Sequence, residues 1–76
     1  MAESLTITEY QAVTVGAGGD VLSLGIGTDA SEVARRGRRA LLTVIRATRS
    51  TRRAAQMRDT FQVVRYDVRL LGSLDV

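Results

Sequence analysis

Eleven arginines are the chain's main store of chemical potential, and nine of them lie between Ala30 and Asp59. Arginine carries a planar, permanently charged fork of donors that grips phosphate or carboxylate in a bidentate manner. Only Asp29, Glu32 and Asp59 oppose those nine, so residues 29–59 carry a net charge of +6 and the remainder −3. The modest total of +3 therefore conceals one cationic surface on an acidic body, and that distribution bears on partners more than the total does. No lysine is present. This fits either a GC-rich genome or a preference for the weakly hydrated guanidinium.

Other chemistries find little material. Histidine, cysteine and lysine are all absent, which removes the usual bases and nucleophiles, thiolate metal sites and disulfide staples. The carboxylates are scattered. Asp20, Asp29 and Glu32 could meet near one end of a sheet and hold a hard cation, although a loop acid followed by a helix cap explains them without a metal. Gly25-Ile26-Gly27-Thr28-Asp29-Ala30 matches the glycine pattern of a dinucleotide fingerprint. That fingerprint needs a βαβ unit and an acid about 20 positions onward, yet no Asp or Glu occurs from Val33 to Arg58. The glycines read better as a turn that lets strand and helix approach. The sequence thus predicts no catalytic residue, no cofactor, no metal and no small-molecule substrate.

The element that positions the arginines is a helix. At about 100° per residue, Val33, Gly37, Leu41, Val44, Thr48, Thr51 and Ala55 share one face, flanked by Ala34 and Ile45. Arg35, Arg38, Arg39, Arg46, Arg49 and Arg53 cluster on the opposite side, with Arg36, Arg52 and Arg58 on the flanks. These six are the candidate contacts to nucleic acid or an acidic partner. Asp29 reads as the N-cap, with Glu32 as its reciprocal partner. The spacing predicts one continuous helix from Ala30 to Asp59. The β-branched content of Leu41–Arg49 offers a buried strand after a shorter helix as the alternative. Gly37 on the apolar face predicts a close helix crossing.

The flanking segments read as strands. Leu5, Ile7, Val13 and Val15 share one parity and Thr6, Thr8, Tyr10 and Thr14 the other, with a bulge or bend expected at Glu9–Gln11. Gly16–Asp20 interrupts, and Val21–Ile26 resumes with Leu22, Leu24 and Ile26 aligned, which predicts a β-hairpin. From Phe61 the period is two: Val64, Tyr66, Val68 and Leu70 form a face to be buried, and Arg65, Asp67 and Arg69 a charged ladder. Gly72-Ser73 ends this strand and leaves Leu74-Asp75-Val76 as a short apolar tail for a neighbour to cover. The expected fold class is α+β, a small single domain over residues 1–76 in the order β-β-α-β.

A chain of 76 residues buries only about 60% of its unfolded surface, so self-association or other protein subunits are the expected stabilisers. No signal peptide or apolar run of about 20 residues is present, so no membrane span and a cytoplasmic setting, or an intracellularly assembled particle, are expected. The cationic face admits a bland reading as a solvated helix back. The near absence of interspersed acids argues otherwise, because like charges at helical spacing repel. No aromatic lies on the helix for base stacking, and a second helix for a helix-turn-helix is not visible. Two functions are therefore expected. One is a structural subunit of a larger assembly, of the virus-like shell kind, whose arginine face meets nucleic acid or an acidic subunit. The other is a free-standing, dimeric nucleic-acid-binding module.

Overall fold

A computed structural model describes residues 4–16 and 18–71; the apolar tail Leu74–Val76 lies outside the described residues. Three antiparallel strands, β1 (Ser4–Val15), β2 (Val21–Gly27) and β3 (Gln62–Leu71), form a sheet in the order β2-β1-β3. Two helices, α1 (Ala30–Ala47) and α2 (Thr51–Thr60), connect β2 to β3. The fold is α+β as expected, but its order is β-β-α-α-β. Among the described residues no helix is long and apolar enough to cross a membrane.

The single helix predicted over residues 30–59 is broken at Thr48–Ser50 by hydroxyl side chains that compete for the backbone. Thr48 Oγ1 donates to the Val44 carbonyl at 2.9 Å, and Thr48 itself leaves the helical region at φ −89°, ψ 123°. Ser50 then caps a new helix, its Oγ accepting from the Arg53 N–H at 3.3 Å. Leu41–Ala47 stay helical, so the alternative strand does not form there. The break lets α2 return to the central strand. Thr14 Oγ1 donates to the Met57 carbonyl at 2.6 Å, and Thr60 Oγ1 accepts from the Val15 N–H at 3.0 Å.

The hairpin forms as predicted, turning through Gly19 at φ +84°. Its irregularity lies elsewhere. β1 pairs without interruption through Glu9–Gln11, and the register shifts beyond Ala12: Ala12 faces Gly25 while Val13 faces Ser23, which leaves Leu24 as the extra residue on β2. That bulge breaks the expected alignment of Leu22, Leu24 and Ile26. Leu24 packs against the core of Leu41, Ile45, Ala54 and Met57, whereas Ile26 shares a face with Gln11.

Close approach of α1 to the sheet decides which face is covered. A Cβ on Gly37 would overlap the Ala12 methyl and come within 3.3 Å of the Phe61 ring; one on Gly27 would lie 3.0 Å from a Val33 methyl. The crossing predicted at Gly37 is therefore made with the central strand. Both helices thus sit on the Ala12 and Thr14 side. Strand alternation and the observed register place Leu5, Ile7, Val13, Val64, Tyr66 and Val68 on the other side. Among the described residues no helix covers the face expected to be buried, because the short residues of the supposedly polar parity are what admit α1 this closely.

Alanine is favoured over glycine by about 1 kcal/mol inside a helix, yet overpacking of a tight contact costs about 1–3 kcal/mol. Gly37→Ala is therefore expected to lower the denaturation midpoint at fixed protein concentration, and Ala12→Gly in the same chain to recover most of the loss. A stabilised Gly37→Ala single variant would contradict this packing.

Candidate polyanion interface

All six predicted arginines are exposed, but on more than one element. Arg35, Arg38, Arg39 and Arg46 project from α1, Arg49 lies in the break and Arg53 in the first turn of α2. The buried stripe of α1 is Val33, Gly37, Leu41 and Ile45. At about 100° per residue, Arg35, Arg39 and Arg46 fall opposite that stripe, along a ridge about 16 Å long at 1.5 Å per residue. Leu42, 48% exposed, sits within the same ridge.

Few of these charges are neutralised. Glu32 takes both ion pairs found among the described residues, with Arg35 at 2.7 Å and Arg36 at 3.6 Å. Its carboxylate thus serves Arg35 and Arg36, while its N–H donates to Asp29 Oδ1 at 3.0 Å, leaving half of the expected capping box. Arg38, Arg39, Arg46, Arg49, Arg52, Arg53 and Arg58 have no carboxylate within 4.0 Å among the described residues. Arg52 and Arg53 also occupy the first turn of α2, which has no acidic residue. Cations there oppose the helix dipole, so an anion would relieve repulsion from neighbouring side chains and backbone together.

The structure separates a clamp from the remaining arginines. Arg36 Nη2 donates to the Ile26 carbonyl at 3.1 Å and ties α1 to the edge strand. Arg38 and Arg58 instead rim an open apolar groove of about 300 Å³ floored by Leu41, Leu42, Ile45 and Phe61. Helical spacing puts Arg58 on a flank; its place with Arg38 at this groove depends on the break, which that spacing does not reveal.

The other candidate sites do not assemble. Among the described residues no three of His, Cys, Asp and Glu gather where they could hold a metal; Asp29 caps α1 and Glu32 serves arginines. Gly25 and Gly27 belong to an antiparallel edge strand, so the βαβ unit of a dinucleotide site is not formed. The charged ladder of β3 exposes Arg65, Asp67 and Arg69, with Asp67 Oδ1 accepting from Thr8 Oγ1 at 2.9 Å. On the opposite side of the sheet, the Tyr66 hydroxyl donates to Glu9 Oε2 at 3.0 Å.

No protein-family model matches this chain, and neither a curated protein nor a solved structure matches it.

The hydrogen bond to Glu9, then burial, then the Glu9 charge raise the Tyr66 phenol above its ordinary value of 10.0. The folded chain holds this proton longer than the unfolded chain, so the contribution to stability is present below about pH 10 and fades as pH rises through the raised value. In a Tyr10→Phe background the tyrosinate absorbance should appear later than for a free tyrosine. Glu9→Ala should return it to the ordinary range.

Proposed function

We propose that this chain is a non-enzymatic structural subunit of a larger assembly, and that its arginine face contacts a polyanion, foremost the phosphates of nucleic acid. The observation that carries this reading is the row of exposed arginines on α1, the break and α2 without carboxylate partners among the described residues. Contacts of this type give affinity through counterion release and read no base sequence. An acidic protein surface offers the same charge, but nucleic acid presents a phosphate about every 1.7 Å of duplex axis, a density suited to a ridge of closely spaced arginines.

A free-standing dimeric module would use the same face. What favours an assembly is the number of surfaces left to satisfy. Among the described residues the outer edge of β3 has no partner strand over Gln62–Leu71, a length that ordinarily invites pairing, and the helix-free sheet face is a second such surface. A dimer needs one of them.

Filter binding of duplex DNA and RNA across a salt series tests the reading. Each lost phosphate contact should reduce the logarithmic salt slope on B-DNA by about 0.9. Replacing Arg46, Arg49 and Arg53 with Gln should therefore flatten it by roughly 2 to 3 while circular dichroism stays unchanged. No binding at low salt, or an unaltered slope, sinks the nucleic-acid reading. Preferential binding of polyglutamate would assign the face to an acidic protein.

A further inference from the structure

The helix-free side of the sheet exposes several large apolar side chains. Leu5 is 63% exposed, Val21 68%, Ile26 49% and Ile7 38%, and the register places them together with Val64 and Val68. Glu9 is the one charged side chain on this side among the described residues, and it already accepts from Tyr66. A polyanion would find no cation here.

We propose that a second copy of this chain covers this face, the two sheets stacking face to face about a twofold axis. This rests on the assembly reading above and names the first contact from which an assembly would grow. Area supports it. The chain exposes 5842 Å², whereas a compact monomer of 8.2 kDa exposes about 4500 Å². The surplus of roughly 1300 Å² exceeds the roughly 800 Å² per partner that a stable interface buries. The radius of gyration, 16.0 Å, likewise exceeds the roughly 11 Å of a compact chain this long.

Part of the sheet is only two strands wide. β2 stops pairing at Tyr10, so Ser4–Glu9 and Tyr66–Leu71 pair only with each other, as a two-stranded arm. Such ribbons are marginal alone. A twofold interface places the same patch on both partners, so the arm of one copy lies over the sheet of the other. Stacked sheets sit about 10 Å apart with strands within about 30°. The arginine layers then point outward from both sides of the pair, free for a polyanion.

Light scattering on a sizing column tests this. The unmodified chain should show at least twice 8.2 kDa, insensitive to salt because the contact is apolar. The double variant Ile7→Glu, Val68→Glu should fall to a single 8.2 kDa species with its helical circular dichroism intact. If the variant unfolds, isotope-filtered NOEs between labelled and unlabelled copies of the unmodified chain decide. Methyl contacts joining Ile7, Ile26 and Val68 across copies support the interface, and contacts confined to α1 or to the β3 edge overturn it. An unmodified chain that stays at 8.2 kDa overturns it too, including one that binds lipid vesicles through this face. A variant that keeps the large mass also rejects the interface while leaving the assembly reading standing. A stable dimer that never grows supports the interface and sinks the assembly reading.

Discussion

The contact between Gly37 of α1 and Ala12 of the central strand is the constraint on which this structure turns. A helix that lies so close to a sheet needs small residues beneath it, and Ala12 and Gly27 supply them on one side of the strands. The other side carries Leu5, Ile7, Val64 and Val68, too bulky for so near an approach. Helix placement thus follows size complementarity more than simple hydrophobicity: interiors are close-packed, and a helix seated on the bulkier side would stand off and leave voids. The core that results is small. Its buried apolar members on the helix side are Ala12, Val33, Leu41, Ile45, Ala54 and Met57, two of them alanines, while Val13 is buried on the other side of the sheet.

This also explains what was legible in the sequence. Alternation revealed the strands, and the Asp29 cap revealed where the first helix begins, because those signals are local. Orientation was not legible from the same pattern. Leu5, Ile7, Val64 and Val68 do share a face, as their parity implies, but parity alone cannot say whether a shared apolar face is covered by helices. Gly37 was the better guide, since a glycine on the apolar stripe signals a near neighbour, and the matching small residue was Ala12. The helix break was visible only as Thr48 and Ser50, poor helix formers on an otherwise acceptable stripe. Periodicity ran through them because Thr51 and Ala55 happen to continue the spacing, while buried Ala54 and Met57 set the true face of α2.

The break also reshapes the candidate site. A continuous helix would carry its arginines in one straight row. Two helices meeting at Thr48–Ser50 instead bring Arg58 and Arg38 to the same Phe61 groove and divide Arg46, Arg49 and Arg53 among α1, the break and α2. Six arginines chosen by angle on one cylinder therefore lie on two helices and the break between them. Arg36 stands apart, since its guanidinium is already committed to the Ile26 carbonyl.

The two outer surfaces of this thin domain are chemically opposite, and that opposition constrains how copies can meet. Cation-bearing layers repel one another at low salt, so stacking helix side to helix side would bring into opposition the arginines that have no carboxylate partner among the described residues. Joining sheet sides avoids that repulsion and buries the apolar surplus in the same step. It also matches stability to need: the arm of β1 and β3 has no layer of its own, and a partner's sheet would order it while gaining contacts itself. Association and completion of the fold are then one event, the arrangement expected of a short chain whose own core is marginal.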